Sequence, residues 1–309
     1  MSGSLKGGGR WTRRGEWLET APGRAVTGAG DRLAAAESWL TDRAGVPEKL
    51  LRRLRAEDGL RLQGDRLRLK LFPDRDPGVP PVWEHTLDVL FEDDFCLVAD
   101  KPAGVGIHTD GSGRPGEVTL DGLVAAHYTV TGQSVAVRHV HRLDKDTTGP
   151  VLYAKCEFAQ LKLDAAMREK AASRRYAAIV RGRVDPALTV LDSPIGKDRH
   201  YSGRRRVSPG GQPAVTRIAE IRHGEAASLV RLELETGRTH QIRVHLSHAG
   251  YPLYGDSLYG GPASSGLQRQ ALHGERLDFV HPWSGETVTA VSPWPADLLA
   301  LCGRLGLDQ

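Results

Sequence analysis

Apolar positions along the chain repeat with two different periods. Over residues 31–41, Leu33, Ala36 and Leu40 fall on one helical stripe, and over 47–57 Leu50, Leu51 and Leu54 fall on another, with Pro47 suited to a first turn. From 60 to 71 the period drops to two. Leu60, Leu62, Leu67, Leu69 and Leu71 alternate with polar residues around Gln63-Gly64-Asp65, which predicts a hairpin. Further on, apolar, β-prone runs predict strands at 87–91, 95–100, 135–140, 151–154, 174–180, 213–222, 227–235, 271–280 and 287–291, with a shorter one opening at Glu16–Glu19. Helices are predicted at 119–130, 157–170 and 295–304. Another is entered through 236–239, with Thr239 as N-cap and Ile242, Leu246 and Ala249 on its buried side. Many strands, interspersed helices and few βαβ units predict an α+β fold with a mostly antiparallel sheet.

Punctuation divides this pattern. Pro73 to Pro81 is rich in Pro and Asp and reads as a linker. The expected organisation is a flexible basic N-terminus over 1–15, a small basic module over 16–72, a linker over 73–85 and a large domain over 86–309. No internal repeat is visible.

Composition narrows the class. The 309 residues are 39% hydrophobic and 26% charged, ordinary for a globular protein with a sizeable core. No apolar run of about 18 residues occurs, and the N-terminus lacks an apolar stretch, which disfavours membrane and secreted readings and suggests the cytoplasm. Cys96, Cys156 and Cys302 are odd in number and far apart, so neither a disulfide framework nor a thiolate zinc site is indicated. The net charge of +4 is uneven: residues 1–82 hold 16 Lys or Arg against 11 Asp or Glu, the remainder 26 against 27. A basic N-terminal part fits a polyanionic partner.

Candidate chemistry concentrates at His141-Arg142-Leu143-Asp144-Lys145-Asp146-Thr147-Thr148-Gly149, a turn-forming run between two predicted strands. Asp144 would project from its rim, with Arg142 and Lys145 beside it to favour the charged form, and could act as nucleophile or base. It could equally serve only to cap the turn. The histidines do not read as metal ligands: His139 and His141 are two apart, and His240, His245 and His248 do not share a helix face with a carboxylate.

The His-Arg-Leu-Asp-Lys-Asp-Thr-Thr-Gly run resembles the signature of the RluA family of RNA pseudouridine synthases. Lys101-Pro102-Ala103-Gly104, the Arg-x-Tyr-x-Ala-x-Val pattern at 174–180 and the stretch after Pro194-Ile195-Gly196 resemble other segments of that family, in the same order. The resemblance implies a bent mixed sheet split by a central RNA-binding cleft. It implies Asp144 as catalytic carboxylate, Tyr176 stacking on the target uracil, Arg243 pairing with Asp144, and Arg142 entering the RNA where a base is extruded. Arg199, Arg204, Arg205 and Arg206 would contact phosphates. The two N-terminal helices and hairpin, with Lys49, Arg52, Arg53 and Arg55, are similar to the alpha-L RNA-binding module, although a structural cap would have the same order of elements.

The implied activity is isomerisation of uridine to pseudouridine in structured RNA, ribosomal first and transfer second, by a monomer that needs neither cofactor nor metal. Thr148 stands where the family often has serine and keeps the hydroxyl; Pro150 follows the motif's glycine. Two other readings stay open: an RNA-binding or ribosome-assembly factor that does not turn over, and a metal-dependent RNA hydrolase, which would call for clustered acidic ligands.

Overall fold

The computed structural model describes residues 9–109, 117–264 and 266–307. Its N-terminal part is a four-stranded antiparallel sheet in the order β1-β2-β4-β3, from β1 (Trp11–Arg14), β2 (Trp17–Thr20), β3 (Leu60–Gln63) and β4 (Arg66–Leu69). Between β2 and β3 run α1 (Arg24–Thr27), α2 (Arg32–Asp42) and α3 (Glu48–Ala56). Asp31 starts α2 by accepting from the amides of Leu33 and Ala34. Of the predicted stripe on this helix, Ala36 and Leu40 are fully buried, while Leu33, in the first turn, is 39% exposed.

Residues 9–15 are not the flexible tail their Gly- and Arg-rich composition suggests; residues 1–8 lie outside the described residues. Trp11 on β1 packs edge-on against Phe95 at 5.4 Å and stacks on His281, and Gly9 accepts from the Trp283 indole. Phe95 also meets Phe72, Phe158 and Trp283. These rings join Leu18, Leu67 and Leu69 of the N-terminal sheet to one core that continues into the rest of the chain. Residues 70–87 carry no helix or strand, and lie along the molecule through Arg75 N–H to Ser134 O and Val82 N–H to Gly122 O.

The remainder is built on two antiparallel sheets. One has the order β5-β6-β7, from β5 (Asp88–Glu92), β6 (Cys96–Lys101) and β7 (Gly149–Ala154), with α4 (Leu120–Val130) between β6 and β7 and α5 (Glu157–Arg168) after β7. The other has the order β15-β14-β8-β13-β12-β9, from β8 (Ser173–Arg181), β9 (Val190–Leu191), β12 (Thr216–His223), β13 (Ala227–Leu234), β14 (Leu272–Val280) and β15 (Thr287–Val291). A two-stranded ribbon, β10 (Ile195–Lys197) and β11 (Arg205–Val207), precedes β12; α6 (Gln241–His248) follows β13, and α7 (Ala296–Arg304) follows β15.

The two sheets meet where β7 begins beside β14: the Gly274 amide donates to Thr148 O at 2.7 Å, and Thr148 and His273 form a parallel bridge. Only glycine fits this seam. Gly149 sits at φ +127°, and a Cβ there would lie 2.5 Å from Gly274 O.

Two expectations change. Val135–Val140 is not a regular strand, because its backbone is shared: Val137 donates to Pro77 O while Val140 and Arg138 bond to β7. The basic run Arg204–Arg206, in a stretch for which no strand is predicted, is partly strand, since Arg205 and Arg206 pair with Lys197 and Gly196 in the β10–β11 ribbon.

Candidate active site

The loop 141–148 enters β7 at the seam, and its shape is fixed from several sides. Asp144 O accepts from Thr147 N–H at 3.0 Å, closing a turn. Thr148 Oγ1 bonds His273 Nδ1, and Gln270 donates to Thr147 Oγ1. His141 is half-buried, with Nε2 accepting from the Leu152 amide, and desolvation of the ring pushes its imidazole down to about 3, so it is a neutral prop. Lys101, from the Lys-Pro-Ala-Gly segment, is 1% exposed and its ammonium donates to the carbonyls of Pro102, Val105 and Lys145 at 2.7–2.8 Å. Burial lowers Lys101 to about 7 despite the opposing charges of Asp146 and Asp144. Three acceptors around one nitrogen fit the ammonium, which has three N–H groups.

The cation that faces Asp144 is Arg243, not Arg142 or Lys145 as adjacency in sequence suggests. Arg243 Nη1 lies 3.2 Å from Asp144 Oδ2. On its other side the same guanidinium is gripped by Asp256, with Nε to Oδ2 at 2.7 Å and Nη2 to Oδ1 at 2.9 Å. Burial disfavours its charge, but the bond and charge of Asp256, with those of Asp144, outweigh it and hold the guanidinium above its ordinary value. Arg142 instead reaches across the opening and donates to Thr239 Oγ1 at 2.8 Å. Thr239 is therefore not the N-cap of α6; that place belongs to His240, in the left-handed region at φ +57°.

Asp144, Arg142, Arg174, Tyr176, His240 and Arg243 line one cavity of about 310 Å3, at the lower end of the volumes typical of small-ligand sites. Tyr176, on β8, is 5% exposed, and burial raises its phenol, which keeps it protonated. An aromatic face, a carboxylate and a guanidinium thus converge on one space, drawn from β8, the 141–148 loop and α6. Such a space can hold a flat heterocycle against the ring while the carboxylate acts on what is attached to it.

The other basic candidates lie outside this lining. Arg204 stacks over Tyr201 and Tyr259, at 5.4 Å each, and the Arg205 amide donates to the Tyr259 hydroxyl. Arg205, Lys197 and Arg238 line an adjoining cavity with Gly211 and Thr239, while Arg199 and Arg206 are exposed. In the N-terminal part Arg52 is exposed, Arg53 is tied to Glu157 of α5 and Arg55 to Glu37 of α2.

Sequence reasoning missed Asp256 and Tyr259, which lie in a turn that carries no periodic signal. The one hint is Gly255: at φ +72°, a Cβ there would sit 2.0 Å from Arg269 O. Arg269 was missed as well; it ties Asp297 to the carbonyls of Asp146 and Leu272, beneath the loop.

Two groups of side chains among the described residues have metal-ligand atoms within 4.8 Å of one another: His108, Asp121 and His139; and Asp93, Cys96 and His281. In the first, Asp121 is already engaged by Tyr153 and His139; in the second, burial pushes the Cys96 thiol well up. His245 points elsewhere, to Thr216 and Ser193. No helix is long and apolar enough to cross a membrane among the described residues.

Residues 95–248 match the RNA pseudouridylate synthase family. The uncharacterized RNA pseudouridine synthase YhcT of Bacillus subtilis is 47% identical over 78% of this chain and 79% of its own length. The ribosomal large subunit pseudouridine synthase D of Vibrio parahaemolyticus is 39% identical over 72% of this chain and 71% of its own. Among solved structures, human RNA pseudouridylate synthase domain containing 4 superposes with a TM-score of 0.60 at 25% identity, covering 72% of this chain and 94% of that one.

Proposed function

Because this chain belongs to the RNA pseudouridylate synthase family, an enzyme class that isomerises uridine within RNA, we propose that Asp144 is its catalytic carboxylate and that its target lies in ribosomal RNA, with transfer RNA as the second candidate. The observation that carries the assignment is the Asp144 carboxylate, 22% exposed at the mouth of the cavity and backed by Arg243 at 3.2 Å. The ribosomal target rests on the relatives named for the large subunit.

The chemistry breaks the bond between ribose C1′ and uracil N1, turns the freed base and rejoins it through C5, which then loses its proton while N1 takes one up. Asp144 acts on the ribose, either as a nucleophile that forms an ester at C1′ or as a base that takes the 2′ proton to give a glycal; Arg243 holds it in either case. Tyr176 keeps the detached uracil from diffusing by covering one of its faces. Arg142, exposed at the rim, takes the space that the extruded nucleotide vacates. Arg199, Arg204, Arg205 and Arg206 grip backbone phosphates around the cleft, and the N-terminal helices, through Arg52 and Arg53, add a second, weaker hold.

The test incubates the purified protein and Asp144→Ala with total RNA lacking the modification, in the presence of chelator, and maps pseudouridine. Modification of defined uridines by the wild type alone is expected and identifies the RNA. If neither protein modifies any RNA and both bind it equally, the chain is an RNA-binding factor and the assignment is wrong.

A further inference from the structure

His240 is held in a backbone conformation that a non-glycine residue adopts only under constraint, and such residues cluster at functional sites. Its ring faces two ways. Nδ1 lies 2.9 Å from the Tyr259 hydroxyl, and Nε2 points into the cavity, 3.9 Å from Asp144 Oδ1. The Tyr259 oxygen already accepts the Arg205 amide at 2.9 Å. Among the described residues the Tyr259 proton has no acceptor besides His240 Nδ1, which assigns Nδ1 as the acceptor and places the imidazole proton on Nε2. Burial, reinforced by Arg243 and opposed by Asp144, lowers the pKa of His240, so the ring is neutral and has that single N–H.

A gap of 3.9 Å is too wide for a hydrogen bond, yet one oxygen atom about 2.8 Å from each end spans it. The group that fits must accept from Nε2–H and donate to a carboxylate. A carbonyl cannot donate, and an imide N–H cannot accept, so neither edge of uracil qualifies. A hydroxyl does both, and within an RNA chain the hydroxyl is the ribose 2′-OH, the group that separates RNA from DNA.

We propose that His240 and Asp144 together bind the 2′-hydroxyl of the target uridine, His240 donating to its oxygen and Asp144 accepting its proton. This inference rests on the function proposed above. It makes the site a reader of the sugar as well as of the base, and it gives the Tyr259–Arg205 contact a task, which is to fix the imidazole tautomer.

The test is a cycle between protein and substrate. Single-turnover efficiency is measured on a stem-loop carrying the mapped uridine and on the same RNA with 2′-deoxyuridine at that one position, for wild type, His240→Phe and His240→Gln. Wild type is expected to favour the ribo substrate about 10–100-fold, the range of a hydrogen bond to a charged group. His240→Phe keeps the bond to Asp144 and loses only the neutral one from the imidazole, so it should lose ribo activity and discriminate about 2–10-fold less than wild type; Gln, which can donate from its amide, should recover part of the preference. Equal discrimination by wild type and His240→Phe overturns the inference and assigns the gap to a water. If His240→Phe lacks a cooperative thermal transition, His240→Asn takes its place, because Asn tolerates the left-handed backbone but is too short to reach. Absence of modification of the ribo substrate by wild type would instead refute the underlying function.

Discussion

Replacing Asp256 with Asn tests whether the site is set from behind Asp144. The Arg243 guanidinium has two bonds to Asp256, at 2.7 and 2.9 Å, and one to Asp144, at 3.2 Å. The Asp256 side chain is 1% exposed and that of Arg243 9%, so water screens little of the pair. Removing one partner of a buried ion pair costs about 3–5 kcal/mol. Asn keeps the volume and one carbonyl acceptor, which reduces the loss to about 2–3 kcal/mol, or one charged hydrogen bond. At about 2–4 °C per kcal/mol that lowers Tm by about 4–12 °C. The local effect is larger. Arg243, short of a counter-charge, turns to Asp144, which has room to swing, and a bidentate pair draws the carboxylate off the cavity. A displacement of about 1 Å costs about 100-fold in rate. Thermal unfolding followed by circular dichroism reads the first effect, and single-turnover pseudouridine formation reads the second. Asp256→Asn unfolding within about 1 °C of wild type and reacting within about twofold of its rate would refute the view that Asp256 positions Arg243.

Three further outcomes follow from other contacts. Arg142→Ala removes only an exposed bond to Thr239, so stability should change by no more than about 0.5 kcal/mol, while turnover on a base-paired target falls and is partly restored when the target uridine is mismatched; equal losses on both substrates would contradict the insertion role. Gly149→Ala combines a φ of +127° with a Cβ 2.5 Å from Gly274 O, and should cost about 3 kcal/mol or more in urea unfolding; a soluble variant within about 1 kcal/mol of wild type would show that the seam can shift. His273 is buried, and burial lowers its pKa from 6.5 to about 4. Between those values the unfolded chain binds a proton that the folded chain does not, so the contribution is complete above pH 6.5 and lost as pH falls toward 4. The loss is about 3 kcal/mol. Urea titrations at pH 7, 5 and 4 should show a shallower acid slope for His273→Gln than for wild type, and parallel slopes would rule the histidine out.

What could be read in the chain before folding divides along a physical line. Elements whose register is set by periodic burial were legible: α3 buries Leu50, Leu51 and Leu54, and β3 and β4 pair around the Gly64-Asp65 turn as the alternation requires. Segments whose backbone is satisfied by unlike partners were not, as with 135–140, divided between Pro77 and β7. The site shows the same division. Asp144 and Tyr176 lie in stretches whose local sequence resembles family motifs and Arg243 lies on a helix the periodicity predicts, and the fold brings all three to one cavity. Asp256, Tyr259 and Arg269 act through bonds to distant parts of the chain, and no local pattern marks a residue for such a task. Trp11 was hidden for a related reason: Gly- and Arg-rich neighbours gave no sign of the ring that receives it, Phe95.

The aromatic cluster around Phe95 has a consequence for biosynthesis. Trp11 emerges from the ribosome early, but its partners include His281, and Gly9 meets the Trp283 indole across 274 residues of sequence. At about 5–20 residues per second, translation reaches that tryptophan some 14–57 s after it starts. For that interval the N-terminal sheet has a core it cannot close, and its rings remain available to chaperones or to a neighbouring nascent chain. A stalled or truncated product that ends between residues 273 and 282 should therefore be a substrate for quality control even though every residue lining the cavity has already been made.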